Sequence, residues 1–416
     1  CAQNTSFVFL HCSFADSPIY MNGSSTAENF FSYAVLMGIN NSSFTIENCR
    51  TVHFSKSKFH DILYSTNPIL FFTNNLNVYI KYCSFINISK SAILAEHSDF
   101  IELNTLVVAS IKFPTQTQIK SIFTINRSKV IALTGSHFMN IMFPAIKFSN
   151  IINCKLYNTT FVKCSCPFII TVYEMKFNIS LLLVRSNFTS CFCLSSGGTL
   201  KVISFANFDM ISGKKRLSTD VFNSIPQLSI RVKHTVFSNC YSQLNGGALV
   251  IQHFARLEEV NTTISIANSS FYNNTSGKQG GGGFINGTYL VFIKHCIFFS
   301  NRAAKGGALF FSRTNTIFCT SSRFYRNIAR YGGSIFVNRK RRTSIITSAS
   351  SKNSGAIYSN QVSVPELNIM VMYGNRFINN VALTSGGAVY IGSMERLYVM
   401  MTQIVNNNAR TGGGIY

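Results

Sequence analysis

The chain has 416 residues, 46% of them hydrophobic, 13% aromatic and only 12% charged, with 7 Pro and no Trp. That composition excludes a disordered tail or a proline-rich linker, and leaves Ser, Thr and Asn to cover most of the surface. The balance of 37 Lys+Arg against 14 Asp+Glu, net +23, favours anionic partners such as acidic glycans or lipid headgroups, with no motif for specific nucleic-acid recognition; the alternative is a merely solvated basic surface.

The chain opens on Cys1 rather than Met and holds no apolar run of 18 residues or more. Its last residues, Gly412–Tyr416, fall inside a repeat, so both ends read as cut from a longer protein. Cys1 as the lipidated cysteine of a lipoprotein is the other reading. In the first third, phenylalanines recur as lone anchors at Phe14, Phe59, Phe85 and Phe138. Asn-x-Ser/Thr sequons fall at Asn4, Asn22, Asn40, Asn41, Asn87, Asn126, Asn158, Asn178, Asn187, Asn261, Asn268, Asn273, Asn274 and Asn286. They suit a secreted glycoprotein, although a chain rich in Asn, Ser and Thr also produces them by chance.

From Phe161 the anchors acquire companions. Cys164 and Cys166 follow Phe161 at three and five residues, Cys191 and Cys193 follow Phe188 likewise, and Cys240 follows Phe237 at three. Equal offsets predict stacked cysteines on adjacent turns of a repeat. They read as a reduced apolar ladder, as disulfides, or as a four-thiolate metal site of unusual spacing. Further on the pattern is complete. Phe298 to Asn301 leads to Gly306-Gly307-Ala308-Leu309, and Phe377 to Asn380 leads to Gly386-Gly387-Ala388-Val389. Phe271 and Phe324 head equivalent units, and Ile404 heads the last. Alternating runs such as Leu228–Val232, Leu290–Lys294 and Leu367–Val371 precede the anchors and read as half-buried strands.

A unit of about 26 residues with three short strands predicts an all-β, right-handed parallel β-helix spanning 1–416 as one domain. Like residues then stack on like, the anchor phenylalanines form one buried column, and an inward Asn forms an amide ladder. Two stretches break the period, near 208–227 and 338–366, and read as protruding loops. They carry Lys214, Lys215 and Arg216, and Arg339, Lys340, Arg341 and Arg342. These are the candidate contacts for sulfated or sialylated glycans or anionic lipid.

The paired Phe-x-x-Asn and Gly-Gly-Ala-(Ile/Leu/Val) motifs resemble the repeat of the polymorphic outer membrane protein family, from Phe188 to Tyr416. The resemblance implies an exported, extracellular or cell-surface, adhesin-like β-helix. The C-terminal barrel of bacterial members has no counterpart here.

Enzymatic β-helices need paired carboxylates. Asp occurs only at 16, 61, 99, 209 and 220, without a shared phase, and Glu258-Glu259 is the one adjacent acidic pair. His11, His234 and His295 each precede an anchor by three residues, which reads as a rung position. No cofactor or metal motif occurs. The expectation is a structural or adhesive protein, not an enzyme, with a carbohydrate-active β-helix enzyme as the alternative.

Overall fold

The computed structural model describes all residues except 1–6, 11–12, 16–17, 23–27, 33–34, 38–42, 62–67, 89–90, 112–120, 143, 173–177, 194–197, 206–226, 255–260, 339–368 and 393. Alternation of apolar and polar residues over five-residue stretches makes half-buried strands. Thr51–Ser55 and Asn77–Lys81, for example, bury every second side chain. Strands that are equivalent in successive turns pair in parallel, and three long sheets result. The first sheet runs from Phe7–Leu10 to Arg396–Met400 in 14 strands and the second from Ser13–Ala15 to Gln403–Val405 in 14. The third runs from Pro18–Asn22 to Val389–Ile391 in 13. The fold is an all-β parallel β-helix with three strands per rung.

The anchor column forms as the repeat predicts. Phe161, Phe188, Phe237, Phe271, Phe298, Phe324 and Phe377 are fully buried, and successive rings stack at centroid distances of 4.6 to 4.9 Å. Each stacked pair adds about 0.5–1.5 kcal/mol beyond the area it buries. Two double-length spacings have different origins. Between Phe85 and Phe138 a full rung intervenes, with Val108 at the anchor position. Phe324 and Phe377 are direct neighbours, so the extra residues between them belong to an insertion.

Rung length also changes along the axis. Phe138 and Phe161 pair across a rung of 23 residues, whereas Phe298 and Phe324 pair across 26. From Phe188 onward several rungs add a short strand after the second sheet. These strands form two strips of their own, Phe192–Cys193 with Tyr241–Ser242 and Thr275–Ser276, and Ile328–Tyr331 with Val381–Ser385.

The corner between the first and second sheets follows one recipe. A residue with positive φ, such as Lys56, Gly135, Asn268 or Ser321, precedes a buried Ser whose hydroxyl donates to the carbonyl two residues back. His234 and His295 occupy the positive-φ position, which explains their common offset from the anchors.

The Gly-Gly pairs close the corner into the third sheet. Gly306 has φ +63, and a Cβ on Gly307 would collide with the carbonyl oxygen of Gly333 on the next rung. Outside this corner a second aromatic stack runs Phe284, Phe310, Phe336, Tyr390 and Tyr416, at 4.5 to 5.4 Å.

Candidate functional site

The corner that follows the second sheet carries most of the residues singled out by their offsets. Three residues after each anchor, one column points inward: Ile88, Ile141, Cys164, Cys191, Cys240, Asn274, Asn301, Asn327, Asn380 and Asn407. Every polar member of this column serves the same backbone acceptor, the carbonyl of the anchor one rung earlier. Cys164, Cys191 and Cys240 donate their S–H to Phe138, Phe161 and Phe188 at 3.4 to 3.6 Å. Asn274, Asn301, Asn327, Asn380 and Asn407 donate from Nδ2 to Phe237, Phe271, Phe298, Phe324 and Phe377 at 2.8 to 3.0 Å.

The amide does more than the thiol. The Oδ1 of Asn301 accepts from both the backbone N–H and the side-chain Nδ2 of Asn274, and Asn327 repeats this toward Asn301. Asn301, Asn327 and Asn380, inside the ladder, each use all four hydrogen-bonding sites. The sequon at Asn274 is therefore not a glycosylation site in the folded chain. Its side chain is fully buried, and its Oδ1 is taken by the Cys240 backbone N–H at 3.0 Å.

The other described sequons fall on the outside. Asn158, Asn178, Asn187, Asn261, Asn268 and Asn273 are exposed, whereas Asn87, Asn126 and Asn286 are partly covered. Asn22 lies in a third-sheet strand described by its backbone, and Asn4, Asn40 and Asn41 lie outside the described residues. Corner chemistry accounts for some of these motifs. Asn158 and Asn268 take the positive-φ position, and Thr159 and Ser269 after them turn inward.

The five cysteines divide by direction. Cys164, Cys191 and Cys240 form the reduced inner ladder, while Cys166 and Cys193 are joined as a disulfide with Cα atoms 4.8 Å apart. Two of the four sulfurs are thereby consumed, which overturns the four-thiolate alternative. Among the described residues no group of three or more His, Cys, Asp or Glu is placed to hold a metal. Hydrogen bonding to Cys164 raises the Cys191 thiol pKa, and burial raises that of Cys240. Burial likewise pushes Cys296 up to about 11 and Cys83 up to about 12. Such thiols stay protonated and poorly nucleophilic.

The described carboxylates are dispersed at the surface. Asp61 bonds His60 and Asn87, Asp99 pairs with Lys129 at 2.8 Å, Glu102 pairs with Lys81 at 3.1 Å, and Glu47 accepts from Tyr20 at 2.8 Å. A polar groove of about 390 Å³ opens at the corner after the third sheet. Glu96, His97, Asn126, Arg127 and Lys147 line it, with Ser149 and Asn150, and Glu96 is its one carboxylate among them. Acid–base glycoside chemistry takes two.

The sequence reading missed one buried pair. Ser204 and His253 sit side by side on adjacent third-sheet strands, with Ser204 Oγ 2.7 Å from His253 Nδ1. His253 is fully buried and its Nε2 has no hydrogen-bond partner. Burial first, and the nearby Arg313 second, bring its pKa down to about 4. The signal was present: both residues lie six positions after the second glycine of their Gly-Gly pairs, Gly198 and Gly247.

Lys214, Lys215, Arg216, Arg339, Lys340, Arg341 and Arg342 lie outside the described residues. Their flanks are informative. Residues 206–226 connect Leu200–Ser204 to Gln227–Lys233, and 339–368 connect Ile335–Asn338 to Ile369–Tyr373. Both join the third sheet to the first, and their first-sheet strands stand four rungs apart, about 19 Å at ordinary strand spacing. Gln227 and Asn338, placed at the insertion boundaries by the break in period, belong to the flanking strands.

A scan of protein-family models finds no match to this chain, and a search of curated proteins finds none either.

Proposed function

We propose that this chain is an exported cell-surface protein that uses its β-helix as a rigid, adhesin-like rod for binding acidic extracellular glycans, without catalysing a reaction on them. The observation that carries the reading is the Cys166–Cys193 disulfide between adjacent rungs. Structural disulfides persist in oxidising compartments and are rare in the cytosol. Three further features support it. The Phe-x-x-Asn and Gly-Gly-Ala repeat resembles that of the polymorphic outer membrane protein family. The net charge of +23 draws polyanions. The described carboxylates are scattered singly rather than gathered in a groove.

The test is incubation of the chain with a panel of acidic and neutral polysaccharides, followed by separation of bound polymer and measurement of its length. Retention of acidic polymers, recovered at their original length, is the expected result. Progressive shortening would move the protein to the carbohydrate-active enzymes, and failure to retain any polymer would remove the adhesive role. Mass spectrometry of the unreduced protein from its own cells should find Cys166 linked to Cys193.

A further inference from the structure

Charge is distributed unevenly along the rod. From Gln227 onward the described residues include thirteen Lys and Arg but a single carboxylate, Glu395. The ion pairs found among described residues, His60–Asp61, Lys81–Glu102 and Lys129–Asp99, all lie in the earlier half. Register gathers the later cations. Arg323 and Arg376 are direct neighbours on adjacent strands of the second sheet, both exposed. Arg326 occupies the positive-φ corner immediately after the strand Arg323–Tyr325, and Arg302 bridges to Ile328 on the added strip. Arg302, Arg323, Arg326 and Arg376 thus cover three consecutive rungs, and all four are exposed. Like charges directly opposite each other on neighbouring strands destabilise a sheet. No described carboxylate lies within ion-pair distance to relieve them.

Beside the arginines runs a column of half-buried aromatic residues, Tyr272, Phe299 and Tyr325, on three adjacent second-sheet strands. Tyr272 and Phe299 meet edge to face, with centroids 6.3 Å apart. We propose that this arginine and aromatic face of the second sheet is a binding surface for a linear sulfated polysaccharide. Guanidinium forks fit planar or tetrahedral oxyanions through two parallel hydrogen bonds, and the aromatic column offers the apolar faces of sugar rings a surface to cover. Arg323 and Arg376 stand one rung apart, about 4.8 Å, and Arg302 and Arg326 extend the cations over three rungs, which suits an extended polyanion rather than an isolated anion. The proposal rests on the glycan-binding reading above and names the site and the ligand class. It places binding on the second sheet and the corner after it, whereas both basic insertions leave from the corner after the third sheet.

The experiment compares heparin affinity of four proteins at fixed ionic strength. One is the wild type. The second carries Arg323→Ser, Arg326→Ser and Arg376→Ser, and the third carries the same positions as Lys. The fourth has Lys214, Lys215, Arg216, Arg339, Lys340, Arg341 and Arg342 all changed to Ser. The Ser triple variant should bind about tenfold or more weakly and the Lys variant about threefold, because Lys keeps the charge but lacks the fork. The insertion variant should stay within about twofold of wild type, since both insertions leave the coil after third-sheet strands and not from the second sheet. Wild-type affinity in both triple variants would overturn the proposal while leaving glycan binding intact. Full restoration by Lys would assign binding to diffuse charge and overturn it too. A wild type that ignores heparin would end both readings. Equal binding to single-stranded DNA would show a general polyanion surface and overturn the polysaccharide assignment. Arg323, Arg326 and Arg376 are exposed and outside the stacked core, so unchanged protease resistance is expected for both triple variants.

Discussion

The rungs before Phe161 and those after Phe237 solve one problem in two ways. Where the chain turns out of the second sheet, the inward position holds Ile88 and Ile141 in the earlier rungs and Asn274 to Asn407 in the later ones. An isoleucine buries apolar area but leaves the preceding anchor's carbonyl to find another partner. An asparagine binds that carbonyl, its own neighbour's amide and a backbone N–H. In the later rungs that ladder stands at the base of the excursion, the added short strand and the Gly-Gly corner, which begin in the Cys191 and Cys240 rungs. Cys164, Cys191 and Cys240 lie between the two regimes: each thiol reaches that carbonyl and the one two residues back, without the amide-to-amide link.

The comparison breaks most visibly at the ladder. Asn327→Leu removes a side chain that bonds Phe298, Asn380 and Asn301, so several buried polar groups lose partners together. Each orphaned group costs about 1–3 kcal/mol, and the variant should lose on the order of 4 kcal/mol in urea denaturation, or fail to accumulate as folded protein. The volume-matched change Ile141→Leu, at the equivalent earlier position, should cost less than about 1.5 kcal/mol. Similar losses in the two variants would mean that the amide network contributes nothing beyond its packing. Second in size is Gly307→Ala, whose Cβ would meet the Gly333 carbonyl and Ile328 backbone. A loss of about 3 kcal/mol is expected, of the size that overpacking produces.

What could be read from the chain beforehand follows the same division. The Phe column and the Asn ladder were legible because identical residues at identical offsets must stack in any solenoid. The earlier rungs were harder, since Val108 stands where a Phe would be and Ile carries no phase of its own. The cysteines showed which rungs were adjacent but not their chemistry. Residues three and five after an anchor share one spacing, and only the inward turn at three and the pairing at five separate ladder from disulfide. The basic runs caught attention as runs, whereas Arg302, Arg323, Arg326 and Arg376 are scattered in sequence and joined only by register.

A third test uses pH. His253 is neutral in the fold, with a pKa brought down to about 4 from an ordinary value near 6.5. The unfolded chain takes up a proton below about pH 6.5 while the folded chain resists it until about pH 4. Stability contributed by the neutral ring is thus complete above about pH 6.5 and lost progressively as pH falls toward 4. The loss is about 1 to 2 kcal/mol at pH 5. His253→Leu should flatten the decline in urea midpoint between pH 7 and 5, and a decline as steep as that of wild type would place the acid sensitivity elsewhere.

The smallest expected effect is the most direct test of the comparison, because it exchanges one solution for the other. Cys240 lies at the boundary: its backbone N–H already bonds Asn274 Oδ1, and its thiol reaches the Phe188 carbonyl at 3.5 Å. In Cys240→Asn the new Nδ2 would inherit that carbonyl and gain Asn274 Oδ1 as a second acceptor, as Asn274 does with Phe237 and Asn301. The extra volume works against this, because Cys191 on the rung before is packed for sulfur, and overpacking costs about 1–3 kcal/mol. Two added bonds of about 1 kcal/mol each offset most of it, so the variant should lie within about 1 kcal/mol of wild type. The reverse exchange, Asn301→Cys, deletes the amide in mid-ladder. It strands the Asn274 Nδ2 and backbone N–H, for a loss of about 3 kcal/mol. Thermal midpoints of the two variants decide the matter. If they shift equally, the column is indifferent to its chemistry; if only Asn301→Cys falls, the later rungs depend on the amide and the earlier ones do not.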